Sequence, residues 1–200
     1  MAVGGNTAYA DLVDLPPLVR AAVAVASSQG FDHSCAPEQG RLLSVLTQGA
    51  TGLRVGETGT GCGVGLAWMV GAADSSTSFV SVERDPIRSA AAADLFADHP
   101  NVRVLCDDWK ALREHGPFDL LVLDGGGKGK EPGGEPPLNP ADGWLRVGGT
   151  IVLDDFMPTD QPGASAHDEA RRYWLEHPSL RATELRLSAT LATVVGKRLR

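Results

Sequence analysis

From Leu53 onward the chain alternates short, nearly unbroken apolar runs with longer stretches of helical pattern. The runs Leu53–Glu57, Thr77–Glu83, Val102–Cys106, Phe118–Asp124 and Thr150–Asp154 read as strands. Between them, Gly63–Ala73, Pro86–Asp98, Asp108–His115 and roughly Asn139–Leu145 read as helices. Strands such as "FDLLVLD" and "GTIVLDD" show no apolar–polar alternation, so both of their faces must be covered. That is the pattern of a parallel sheet with helical crossovers. After a proline-bounded loop, "ASAHDEARRYWLEHP" reads as a further helix. The runs Leu180–Leu187 and Thr190–Gly196, only a few residues apart, predict an antiparallel hairpin at one edge of the sheet.

The first fifty residues follow a different rule. "LPPLVRAAVAVASSQG" and "APEQGRLLSVLTQG" each carry proline near a helix start and glycine at its end. No internal repeat is present. The expected architecture is therefore α/β: a doubly wound, seven-stranded sheet over residues 51–200, mostly parallel, with a helical extension over residues 1–50. The two parts form one structural domain of ordinary size.

Composition narrows the setting without naming an activity. A net charge of −7 with no basic cluster argues against a nucleic-acid backbone as partner. No run of apolar residues is long enough to span a bilayer, and the N-terminus lacks the basic head and apolar stretch of a secretory signal. Cys35, Cys62 and Cys106 are odd in number and far apart, with no CxxC spacing, so neither a disulfide framework nor a thiolate metal site is expected. A reducing cytoplasm is the simplest home. The excess of arginine over lysine, with abundant alanine and glycine, fits a G+C-rich bacterial genome.

The chemistry concentrates at the ends of the strands, where ligands bind in such sheets. The first ends "RVGETGTGCGVG", with a glycine at every second position from Gly59 to Gly65. The dinucleotide fingerprint GxGxxG fails, because its last position falls on Val64 or Leu66. The phosphate-loop pattern fails too, since no Gly-Lys pair is followed by Ser or Thr. What fits is E-x-G-x-G-x-G, carried by Glu57, Gly59, Gly61 and Gly63. The second strand ends "SVERDP", with Glu83 22 residues beyond Gly61, and the third ends "VLCDDW". An acid at Glu83 suits the two ribose hydroxyls of an adenosine.

On these residues the sequence resembles the class I S-adenosylmethionine (SAM) methyltransferases, with their Rossmann-like fold. The resemblance implies that the glycines admit the methionine portion of SAM, that Glu83 takes the ribose, and that Asp108 and Trp109 face the adenine. Asp107 is the alternative acid. Asp124, at the end of the fourth strand, and the pair Asp154 and Asp155, at the end of the fifth, narrow the likeness to the cation-dependent catechol O-methyltransferase-like (bacterial O-methyltransferase) family. There these positions hold a divalent cation; hard oxygen ligands suit Mg²⁺, with Mn²⁺ or Ca²⁺ as alternatives. Asp155 departs from the asparagine common at that place.

The resemblance spans nearly the whole chain and implies a SAM-dependent O-methyltransferase acting on a small hydroxylated molecule, with a homodimer as the expected assembly. It places Ser34, Glu38 or Gln39, in "SCAPEQGRLLSVL", at the methionine end of the cofactor. It also implies a catalytic lysine three residues after the first metal aspartate; here Lys128 stands four after Asp124, beside which Asp124 counts as part of the catalytic machinery. His33 and His167 are further candidate bases near the mouth. Two readings compete with a metal-assisted enzyme: a metal-independent SAM methyltransferase with structural aspartates, and a non-catalytic SAM-binding module. The acceptor is set by the segments Gly125–Pro140 and Met157–Ser165, and loops carry no pattern from which a substrate can be read.

Overall fold

The computed structural model describes residues 5–49, 51–130 and 133–200. In chain order the regular elements are α1 (Pro17–Ser28), α2 (Pro37–Thr47), β1 (Arg54–Thr58), α3 (Val64–Ala72), β2 (Ser78–Glu83), α4 (Pro86–Leu95) and β3 (Val102–Cys106). A 3₁₀ helix, Trp109–His115, leads to β4 (Phe118–Leu123) and β5 (Leu145–Phe156). A further 3₁₀ turn, Ala164–His167, runs into α5 (Asp168–Glu176), then β6 (Leu180–Arg186) and β7 (Ala192–Arg198).

The seven strands form one sheet in the order β3-β2-β1-β4-β5-β7-β6. β1 to β5 are parallel, whereas β7 runs antiparallel to both β5 and β6. The chain moves outward from β1 through β2 to β3, then returns to lay β4 on the other side of β1. That reversal opens a crevice beyond the C-terminal ends of β1 and β4.

The unalternating strands have the two covers they require. On one face, Val55, Phe79, Leu120, Val122 and Val152 pack with Val19, Ala22 and Ala26 of α1, Leu43 of α2, and Leu66 and Met69 of α3. On the other, Val82, Leu121, Leu123, Ile151 and Leu153 pack with Leu112 and with Trp174 of α5. The N-terminal helices are thus part of the main core. Their fixed point is a buried polar chain: the Trp68 indole N–H donates to the Tyr9 hydroxyl at 3.0 Å, which donates to the Cys35 carbonyl at 2.9 Å. Among the described residues, no helix is long and apolar enough to cross a membrane.

Three expected elements differ. Asn139–Leu145 is a turn, not a helix: the Asn139 side chain accepts from the Ala141 N–H and donates to Asp142, and Gly143 takes φ +83°. Side chains that bond their own backbone compete with helix formation in this way. β5 begins five residues earlier than the sequence pattern placed it, because Gly148 and Gly149 lie inside the strand at a register shift against β4. Glycine in a strand marks such an irregularity as readily as an end. Asp108–His115 is helical but 3₁₀.

Candidate active site

The turn after β1 builds the first wall. Gly59, Gly61 and Gly63 all have positive φ, at +86°, +54° and +87°. Each also faces a protein neighbour closely. A Cβ on Gly59 would fall 2.5 Å from the Gly125 nitrogen, one on Gly61 2.8 Å from the Phe31 ring, and one on Gly63 2.9 Å from the Phe96 ring. The space beside Gly61 that a cofactor was expected to need is, on the Cβ side, filled by Phe31. Glu57 lies one residue before the end of β1, 2% exposed, and accepts a 2.5 Å hydrogen bond from Ser81. Burial pushes its pKa up to about 8, so it holds its proton at neutral pH.

Glu83, at the end of β2, is buried beside this turn. Its Oε2 accepts from the Gly61 N–H at 2.9 Å; its Oε1 accepts from the Asp85 N–H at 2.9 Å and from Arg88 at 3.0 Å. The glycine turn and the acid expected to take a ribose are therefore held together. Beyond β3, Asp108 is exposed and caps the 3₁₀ helix through the Lys110 N–H at 3.0 Å. Trp109 lies against Gly126 and Gly127 and stacks on Trp144 with ring centres 5.7 Å apart. It forms a wall of the turn after β4.

The acidic trio meets. Oxygen atoms of Asp124, Asp154 and Asp155 all lie within 4.8 Å of one another. Consecutive residues of a regular strand point to opposite faces, so Asp154 and Asp155 need a break in the pattern to converge. It is present: the β5–β7 register shifts between Leu153 and Phe156, and Asp155 has φ +65°. Asparagine and aspartate adopt this left-handed conformation more readily than other non-glycine residues. The backbone at position 155 thus suits either of those two residues.

Two lysines complete the rim. Lys128 is 7% exposed; its Nζ donates to the Asp124 carbonyl at 2.6 Å and lies 3.9 Å from Asp155 Oδ2. Lys130, which no sequence motif singles out, donates to the carbonyls of Asp154 and Asp155 and lies over the Phe156 ring at 4.9 Å. Only the dense "GKGK" spacing hinted at it. Burial and the neighbouring Asp155 raise the Asp124 pKa to about 6, and burial with Asp124 and Asp155 raises Asp154 well above the carboxylate range. Burial opposes charge on Asp155 too, but Lys128 and Lys130 hold its pKa low. Burial and Lys128 bring Lys130 down to about 7. Partly buried carboxylates that strain against one another in this way are a donor set suited to a hard divalent cation.

On the N-terminal side, Ser34 and Gln39 are buried, and the Ser34 hydroxyl and both amide atoms of Gln39 have no hydrogen-bond partner. Buried polar atoms are rarely left so; these are unspent contacts for a polar ligand. Glu38 and His33 are exposed, and the side chain of His167 lies outside the described part.

The sheet order, the glycine turn and the acids at successive strand ends define the class I SAM-dependent methyltransferase fold. No family model matches the sequence, and a search of curated proteins finds no match. Solved structures do match. The O-methyltransferase TomG from Streptomyces achromogenes, involved in tomaymycin synthesis and solved with SAM, is 17% identical over 98% of this chain and 96% of its own, with a TM-score of 0.74. An O-methyltransferase from Bacillus cereus, solved with SAH, is 16% identical over 97% and 96%, at 0.73. Cofactor-bound Rv0187 from MTB is 20% identical over 99% and 98%, at 0.75.

Proposed function

We propose that this chain is a SAM-dependent O-methyltransferase that transfers a methyl group to a hydroxyl of a small molecule with the help of a divalent cation, Mg²⁺ by donor type. One observation carries the reading. The Gly59–Gly125 contact seats the glycine turn against the residue that follows Asp124, so a cofactor cradle and a cluster of three carboxylates share one rim. The SAM- and SAH-bound O-methyltransferases of the same fold support it.

In this reading Glu83 accepts from the ribose hydroxyls, and Ser34 and Gln39 supply polar contacts toward the methionine end. Asp124, Asp154 and Asp155 would hold the cation, which when bound would supply Lewis-acid chemistry and lower the pKa of the acceptor hydroxyl. Lys128, an ammonium beside Asp155, is positioned to stabilise the negative charge on the acceptor oxygen, while the rest of the site has only to orient the acceptor and exclude water.

The test is a calorimetric titration with SAM, with and without Mg²⁺, followed by methyl transfer to a panel of hydroxylated acceptors in Mg²⁺ and in excess EDTA. Binding of SAM with EDTA-sensitive transfer is expected; no SAM binding overturns the reading. A second reading, metal-independent transfer, is favoured by the Lys128 ammonium already lying 3.9 Å from Asp155. Full transfer in EDTA would select it.

A further inference from the structure

Arg88 sits one turn into α4, and its guanidinium faces the acid on which the cofactor reading turns. Nη2 is 3.0 Å from Glu83 Oε1 and Nη1 is 3.4 Å from Asp85 Oδ2, while the Phe31 ring lies over the group at 5.1 Å. Asp85 caps α4 through the backbone N–H groups of Ile87 and Arg88. The guanidinium is thus held from three sides. Yet its Nε is buried and has no hydrogen-bond partner.

That orphan has a defined direction. In a guanidinium, Nε–H and one Nη2–H are parallel and form a single fork, which is why arginine grips two neighbouring oxygens at once. Here Nη2 has taken one oxygen, Glu83 Oε1, and the second prong beside it is unspent. Leaving a buried donor of a charged group unpaired is costly, so an oxygen of a ligand next to Oε1 would be rewarded there. The group that fits both demands donates one hydrogen bond to the Glu83 carboxylate, whose Oε2 accepts from Gly61 alone among the described residues, and accepts one from Nε. A hydroxyl does both; an ammonium or a methyl does not.

We infer that Arg88 is a cofactor-contacting residue whose Nε–H donates to the same ribose hydroxyl that donates to Glu83. The inference rests on the SAM reading above. Glu83 and Arg88 then act as a pair, the acid reading the hydroxyl as donor and the fork reading its oxygen as acceptor. Phe31, over the guanidinium and against Gly61, borders the place that oxygen would take. Selectivity follows: the site discriminates against an adenosine lacking that hydroxyl more than Glu83 alone would.

The test measures affinity, not turnover. SAH and its 2′-deoxy and 3′-deoxy analogues are titrated calorimetrically against the wild-type chain, Arg88→Lys and Arg88→Met, with thermal midpoints recorded for each. Lysine keeps the charge toward Glu83 but has no fork. The wild type should prefer SAH over one of the deoxy analogues, and Arg88→Lys should bind SAH about tenfold more weakly, or worse, while binding that analogue as the wild type does. Unchanged SAH affinity in Arg88→Lys would overturn the assignment. So would an equal loss for SAH and both analogues, which is the mark of a structural role. If the wild type binds no SAH at all, the cofactor reading fails first and this assignment with it.

Discussion

Gly59 and Gly125 meet backbone to backbone: a Cβ on the first would lie 2.5 Å from the nitrogen of the second, and a Cβ on Gly125 would lie 2.8 Å from Cα of Gly59. The same junction is tied by the Thr58 carbonyl, which accepts from the N–H groups of Asp124 at 3.1 Å and Gly125 at 2.6 Å. The contact sets how far the glycine turn stands from the carboxylate cluster. Gly59→Ala should therefore destabilise the fold by about 2–4 kcal/mol, the sum of a strained positive φ and an overpacked contact, and should weaken SAM binding as well. Gly71→Ala, on a helix with nothing within 4 Å of the added methyl, should be neutral or stabilising. Chemical denaturation of the two variants checks the contrast.

Asp154→Asn should separate metal binding from folding. Burial, with Asp124 and Asp155 beside it, disfavours charge on Asp154, and its Oδ1 accepts from the Asp155 N–H at 2.6 Å, a bond the amide oxygen can keep. The metal-free variant should melt at the wild-type temperature or above it. The rise in melting temperature that Mg²⁺ or Ca²⁺ gives the wild type should be lost. An equal rise in both proteins would show that the trio is not the binding site.

Glu57 predicts a pH dependence of stability. Its pKa is about 8 in the folded chain against an ordinary 4.5. Between those values the folded state keeps a proton that the unfolded state has released, so stability falls as pH rises through that window, by up to about 1.4 kcal/mol per unit. Glu57→Gln should flatten that part of the profile and gain most on the wild type near pH 8. Denaturation at pH 5, 6.5 and 8 measures the two slopes; parallel slopes would refute the assignment.

Lys128→Met should lower kcat by about a hundredfold or more, in the range of a lost charge-stabilising contact. SAM affinity should hold, because Lys128 bonds the Asp124 carbonyl and faces Asp155, on the acid side of the rim. A matched fall in SAM affinity would instead mark a residue that shapes the cofactor cradle. Rates at saturating SAM, set beside calorimetric affinities, separate the two.

Periodicity and residue type carried the strands, their parallel core, the edge hairpin and the places where chemistry gathers. A buried parallel strand needs an unbroken apolar run, and a strand end needs polar punctuation, so Asp124, Asp154, Glu83 and the glycine turn were all visible as local pattern. Other features are products of contact between distant segments. Phe31 fills the space beside Gly61, Trp109 lies on the glycines after β4, and Lys130 joins Lys128 over the aspartates. The pairing of Arg88 with Glu83 belongs here too, for the spacing of "ERDPIR" allows it but does not require it. The convergence of Asp154 and Asp155 is the clearest case. Strand alternation by itself would send the two side chains to opposite faces, and only the shifted register against β7 and the left-handed turn at Asp155 bring them together. Local sequence determines which residues lie at the rim. Which of them meet depends on how neighbouring strands are registered and on which loops pack over them, and those are decided by burial across the whole sheet.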